Sequence, residues 1–480
     1  MGNVGDLQLA WSFVTGSDVS ATPTVFAGDL FVPDWGGSLY SLDASTGDLN
    51  WSSSISDYTG IAGDFSRTSP VVHGNKLIIG SRALGGATLM AVDRHSGALL
   101  WSTSLSDHPA AIITQSPTVH GNKVFAGVAS LEELFAGDAA YECCTFRGSL
   151  AALDLDTGEI EWQTYMAPDN GGSPELFSGN AVWGSSPAVD PSRGAVYIAT
   201  GNNYEIPTAL EECLVDAGDD GVAFQMCLDA YDDPANLFDA IVSLDMDTGE
   251  INWAKKLQDY DSFNIACIAG AFPGVDPDNC PNPTGPDYDF GQAPMLWHAQ
   301  GQDFVGAGQK SGFFWALDRD TGDVVWAAVP GPGGAAGGMQ WGSATDGELV
   351  YVSISNYFEH VPYELIDGTL TTGGSWSALD AATGEIVWQT ADPGAFTPLA
   401  AISSAQAPLT VANDVVYGAS TGGGLYAMDA YTGQILWDYD TGVSNMGGAS
   451  VVNGMVYWGS GYGNLGAGIP GDTLYAFGLE

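Results

Sequence analysis

Positive charge is what this chain of 480 residues has least of: 11 Lys and Arg stand against 58 Asp and Glu, a net charge of −47. Such a surface repels nucleic acid and anionic membranes, so neither is expected as a partner. No apolar run approaches the roughly 20 residues of a membrane-spanning helix. The opening MGNVGDLQLAW lacks the pattern of a secretion leader, so either a leader has been removed or the protein stays in the cytoplasm. No Cys-x-x-Cys-His occurs, which excludes covalently attached haem. Cysteine is sparse too, with Cys143, Cys144, Cys213, Cys227, Cys267 and Cys280. The last four lie in two Gly/Asp/Pro-rich insertions, near 203–237 and 265–290. Pairing 213 with 227 and 267 with 280 would close short loops, although spacing alone leaves the connectivity open. This usage favours the oxidising surroundings of a periplasmic or secreted protein.

The acids are scattered, densest in DAGDD and DAYDD. They read as a solvated surface suited to a saline habitat or to an acidic secreted protein. Against them each cation invites a question. Lys76 and Lys123 sit in HGNK turns and read as structural, whereas Arg67, Arg147 and Lys310 sit in more particular segments.

What the chain has in plenty is one pattern, Asp-x-x-Thr-Gly-x-x-x-Trp, repeated seven times and ending at Trp51, Trp101, Trp162, Trp253, Trp326, Trp388 and Trp437. Only the second copy departs, with Ser96 for Thr. Each copy is a hairpin signal: a strand, a polar turn with Gly, and an alternating strand closed by Trp. Asp and Thr can bond the turn backbone, and the Trp is large enough to lock one repeat against the next. The spacing suits a four-stranded propeller blade. The C-terminal LYAFGLE begins an eighth copy, and LQLAWSF, with Trp11, supplies its missing end. The expected fold is therefore all-β: one eight-bladed β-propeller over 1–480, its last blade closed by N- and C-terminal strands so that no sheet edge is free.

Between the repeats lie segments too particular for generic loops: FSRTSP, ITQSP, GVASLEE, ECCTFRG, VWGSSP, ATGNNY, DYDFG, GQKSG and GGMQWGSATD. Propeller chemistry sits on such loops at one mouth of the channel. With the Trp repeat they resemble the quinoprotein alcohol dehydrogenases, which bind pyrroloquinoline quinone (PQQ) and a divalent cation. Within that group they are most similar to the polyvinyl alcohol branch. The resemblance covers nearly the whole chain.

The resemblance implies a site. Glu133, with Glu132 as competitor, and Asn202 match metal ligands; their hard oxygens suit calcium. Without the resemblance, Glu133 reads as a solvated acid and Asn202 as a turn residue. Trp183 matches the indole under the planar cofactor, or else is one more core Trp. Arg67 and Lys310 match cations that face its carboxylates or quinone oxygens. Thr114 and Gln340 match neutral hydrogen-bonding positions, and Arg147 joins the cofactor-binding set beside Cys143-Cys144. That pair matches a vicinal disulfide that lids the cofactor, with separate pairing or free thiols as alternatives.

Two departures follow. Relatives carry Cys-Cys a few residues before the Arg matched by Arg67, where this chain has Ile61-Ala62. In addition, the group's general base is an Asp, and here Asn264 falls on that position, in QDYDSFNIAC. Asn takes no proton near neutral pH, so Asp261 or Asp259 is left to serve. Lanthanide-using relatives have an extra Asp two residues beyond the base; Ala266 in that place favours calcium. The implied activity is oxidation of a primary or secondary alcohol or polyol, with electrons passed to an external acceptor such as a cytochrome c. The alternatives are a non-catalytic propeller scaffold, which has no use for Glu133, Asn202, Trp183, Lys310 or Cys-Cys, and a PQQ-binding sensor, which Asn264 would explain.

Overall fold

The computed structural model describes every residue except 1, 359, 397–402, 464–467 and 480. Eight antiparallel sheets, each built on four strands, follow one another along the chain. The first takes Thr24–Phe26, Asp29–Pro33, Ser38–Asp43 and Leu49–Ser54. The last joins Gln8–Val14 to Thr473–Gly478, followed by Met455–Gly459 and Ser450–Val452. The first strand of each sheet faces its neighbours around the axis, and Ser450–Val452 meets Thr24–Phe26 to shut the ring. The chain is thus an eight-bladed propeller, its final sheet closed by both ends as the half-repeats imply.

The repeat turns show why the pattern is so regular. In DLDTGEIEW the Asp154 carboxylate accepts the amides of Asp156 and Thr157 and the Thr157 hydroxyl, and Gly158 N–H bonds Asp154 O at 2.8 Å. Beyond the turn a bulge between Ala152 and Leu153 aims Trp162 at the next blade. Each Trp reaches forward: Trp51 donates to Arg94 O, Trp101 to Leu155 O and Trp388 to Ala430 O. Trp326 is the exception, because Trp297 takes the Ala381 carbonyl in its place. The ring of each repeat Trp except Trp437 also lies against the repeat glycine of the following blade. A Cβ on Gly158 would stand 2.6 Å from the Trp101 ring, and φ +74° there disfavours a side chain in any case. Between sheets the core is aliphatic; Ile78, Ala91, Val124, Ala126 and Leu153 pack around Trp101.

The insertions depart from the all-strand expectation. Two ten-residue helices, Thr208–Ala217 and Gly221–Ala230, fill the first. Leu210 and Leu214, one turn apart, bury one face, and Asp220 caps the second helix by accepting the amides of Val222 and Ala223. Cys213–Cys227 staples the two helices, and Cys267–Cys280 closes the second insertion. Both bonds match the short-loop pairing. No described helix is long and apolar enough to cross a membrane.

Candidate functional site

Loops from several blades converge on a cavity of about 250 Å³. Its wall carries Arg67, Thr114, Glu133, Trp183, Lys310 and Gln340, which are far apart in sequence. A second cavity, about 280 Å³, adjoins it and shares Arg67, Thr114, Trp183 and Trp341; its remaining wall is mostly Ser and Thr from the segments that enter the inner strands.

Trp183 lines both spaces. Its Nε1 donates to Asp289 Oδ2 at 3.1 Å, Thr114 Oγ1 donates to its carbonyl at 3.1 Å, and Trp341 stands edge-on to its ring at 5.4 Å. The indole plane is therefore set before any ligand arrives. Lys310 Nζ lies 2.7 Å from Asp287 Oδ1 and 3.3 Å from Asp289 Oδ2. Burial works against its charge, but Asp287, Asp289 and Glu133 more than offset this and push the ammonium pKa up. The Glu133 pKa also rises, which for a carboxylate disfavours the charge. Burial raises it and Lys310 lowers it, but with Asp289 and Asp261 adding to the rise it reaches about 7.

Asn202 is wholly buried. Its N–H donates to Asp289 Oδ1 at 2.7 Å, and its Nδ2 donates to the carbonyls of Asn203 and Phe263. Its Oδ1 has no partner. An orphaned buried amide oxygen is costly unless something outside the protein's own hydrogen bonds uses it. Asn202 Oδ1 and the Glu133 carboxylate are hard oxygens of the kind a calcium-like cation takes, although no group of three or more His, Cys, Asp or Glu among the described residues is arranged to hold a metal.

The adjacent acids Glu132 and Glu133 separate completely. Glu132 is buried and accepts the amides of Thr145 and Phe146 at 2.8 and 2.7 Å and the Tyr141 hydroxyl at 3.0 Å. Burial raises its pKa, but His108 and these amides win and hold it below the usual range. It anchors the loop after Cys143-Cys144, while Glu133 faces the cavity.

Besides Asn202, five predicted residues lie off this cavity wall. Asn264 is buried with its amide spent on structure: Oδ1 caps Ala266 N–H, and Nδ2 donates to Tyr204 O and Asn279 O. Asp261 accepts the amides of Asp287 and Tyr288 at 3.1 and 2.6 Å, so it positions the DYDFG loop and does not line the cavity. Arg147 bonds Ala167 O, pairs with Asp169 and stacks over Tyr165 at 4.3 Å; its guanidinium is satisfied away from the cavity. Cys143 and Cys144 are joined in a disulfide, but they pack in the apolar cluster behind the wall, with Ile112, Ala129 and Tyr204, which line it.

The site also holds residues that sequence reasoning passed over. Asp287 and Asp289, both buried, stand in DYDFG, a segment that contributed to the resemblance without a role. Arg82 lines the cavity beside Arg67; the scarcity of cations was the signal that could have found it.

The PQQ_2 family model, described as outer membrane protein assembly factor BamB, matches residues 8–327 and again 235–468. The chain belongs to this family. A polyvinylalcohol dehydrogenase from Pseudomonas sp. is 30% identical over 371 residues, covering 74% of this chain and 52% of that protein. Another from Sphingopyxis sp. (strain 113P3) is 29% identical, covering 80% and 55%. The chain therefore spans about half the length of the curated relatives it matches. Among solved structures, the quinohemoprotein alcohol dehydrogenase ADHIIG from Pseudomonas putida HK5 superposes with a TM-score of 0.71 at 20% identity, covering all of this chain and 77% of that one. At that identity the likeness speaks for the family's propeller alone.

Proposed function

We propose that this propeller is a PQQ- and calcium-dependent dehydrogenase that oxidises primary or secondary alcohols, of the polyvinyl alcohol kind, and passes electrons to an external acceptor such as a cytochrome c. One observation carries the reading: cationic Arg67, Arg82 and Lys310 and the carboxylate of Glu133 line one cavity with the fixed indole of Trp183. A flat polycarboxylate quinone bridged by a cation needs this combination, and an assembly scaffold, the activity the family description names, has no use for it. The dehydrogenase relatives, at 30% and 29% identity, support the same class.

In this reading Glu133 and Asn202 Oδ1 hold the cation, Trp183 supports the ring face, and Arg67 and Lys310 face its oxygens. When bound, the cation–quinone pair supplies a hydride acceptor. The chain's part is to bind and orient the alcohol and to receive its hydroxyl proton. We assign that part to Asp287, which does not line the cavity itself but adjoins its wall through Lys310: Lys310 holds its carboxylate and Asp261 its backbone. Burial pushes its pKa up, Lys310 opposes this, and Asp289 and Glu133 add to the rise. Three disulfides support an oxidising compartment outside the cytoplasm.

The deciding experiment titrates metal-depleted protein with PQQ alone, with Ca²⁺ and with La³⁺, then follows dye-linked oxidation of polyvinyl alcohol and short secondary alcohols. Metal-dependent binding with turnover is expected. Binding without turnover would mark a sensor, and no binding would return the scaffold.

A further inference from the structure

We propose that Arg67 and Arg82 form a two-guanidinium site for the carboxylate of a planar aromatic ligand, with Arg82 the binding residue that no motif announces. The site itself follows from the charges described below; only the identity of its natural ligand rests on the proposed function.

In so acidic a chain a cation without a carboxylate is an anomaly. Lys76, Arg94, Lys123, Arg147, Arg193, Lys256, Lys310 and Arg319 all have carboxylate partners. Among the described residues Arg67, Arg82 and Lys255 form no salt bridge, and Lys255 is exposed. The two arginines are not. Arg82 Nε is fully buried with no hydrogen-bond partner. Its guanidinium lies 5.3 Å from the Trp35 ring and 5.4 Å from Phe65, while that of Arg67 lies 4.5 Å from Trp341 and 6.0 Å from Trp35. Trp35 is itself held by a 2.7 Å bond from Nε1 to Ser20 Oγ. Two like charges therefore share one aromatic cage. Ring faces attract cations without neutralising them or filling their N–H donors. Burial and the nearby Arg67 lower the Arg82 pKa to about 10, the direction uncompensated positive charge imposes.

The ligand class follows from the rest of the wall. Guanidinium forks match carboxylates and phosphates alike. The perpendicular indoles of Trp183 and Trp341 on the same cavity suit a flat ring that carries its carboxylate toward the arginines, which inorganic phosphate lacks.

The test uses metal-depleted protein, with calorimetry and tryptophan fluorescence as readouts, and three probes: benzene-1,3-dicarboxylate, inorganic phosphate and PQQ. Arg82→Gln should weaken the dicarboxylate about 10-fold to 100-fold, the loss of a charge-assisted contact. Arg82→Lys should recover part of this, and Lys255→Gln should change nothing. Without ligand, Arg82→Gln should melt no lower than the parent protein, since it removes an uncompensated charge; a merely structural Arg82 would lower that midpoint. Wild-type affinity for the dicarboxylate in Arg82→Gln, or phosphate bound as tightly as carboxylate, overturns the inference. If PQQ fails to bind while the dicarboxylate binds through Arg82, the cofactor reading falls and this site stands. If PQQ binds equally to the parent and to Arg82→Gln, the cofactor reading stands and this inference falls.

Discussion

The blade-to-blade lock can be tested by one methyl group. In Gly158→Ala the new Cβ would sit 2.6 Å from Trp101 Cδ2 and Cε3 and 3.0 Å from Thr103 Oγ1, at a backbone φ of +74°. The left-handed backbone costs an alanine about 1–2 kcal/mol, and forcing the close-packed ring aside costs about 1–3 kcal/mol more. Reduced freedom of the unfolded chain returns about 0.4–1 kcal/mol. The expected net loss is about 2–4 kcal/mol. Gly74→Ala isolates the backbone contribution, because Gly74 has φ +60° and nothing within 4 Å of the added Cβ. It should cost about 1 kcal/mol. Guanidinium denaturation followed by tryptophan fluorescence gives both values from the midpoints at a common slope. Trp101→Leu should then cost less in the Gly158→Ala background than alone, since the two changes share one contact. Equal losses for Gly158→Ala and Gly74→Ala, or strict additivity with Trp101→Leu, would refute the claim that the repeat glycine exists to seat the preceding Trp.

Other outcomes follow from the site and its supports. Asn202→Ala should lower metal-dependent PQQ affinity by about 10-fold or more, measured by calorimetry, because it removes the unpartnered Oδ1. Glu132→Gln should destabilise the protein by about 2–4 kcal/mol in denaturant titrations, since a buried carboxylate that accepts two amides and a hydroxyl is replaced by a group with half its accepting oxygens. Asp261→Ala frees the Asp287 and Tyr288 amides; kcat should fall with little change in PQQ affinity. Burial opposes the charge on Asp190, but bonds from Ser192, Arg319 and Arg193 hold its pKa at about 2. Because the folded value is depressed, its stabilisation of about 1–2 kcal/mol is present above pH 4 or so and is lost as pH falls toward 2. The stability difference between the parent and Asp190→Asn should shrink across that window.

How far the sequence could be read depended on whether a contact is local. The nine-residue repeat carries its own turn chemistry, from the Asp154 carboxylate to the Gly158 hinge, so blade number and ring closure were legible before any coordinates. The pairing of 213 with 227 was legible as a short loop, although the helices it staples were not, since they obey a local order unlike the repeats around them. The resemblance named Arg67, Thr114, Trp183, Lys310 and Gln340, each in a distinctive segment, and the fold places all five on one cavity wall. It did not separate Glu132 from Glu133: the two are neighbours in one short helix, and only the loop packed against it makes one an anchor and the other a lining acid. Asn264 and Arg147 stand in equally distinctive segments, yet their polar atoms are consumed by Tyr204, Asn279 and Ala167, partners that spacing cannot show.

By itself, then, the sequence determined the propeller, its closure and its acidic surface, because those depend on residues within one repeat or on totals over the chain. Tertiary structure decided which charges face one another. Lys310, with its partners Asp287 and Asp289, reaches the same cavity as Arg67 and Arg82 only when several blades bring their loops to one mouth. Charge pairing across such distances is a property of the closed ring, and it falls away by ångströms when a single loop is placed differently.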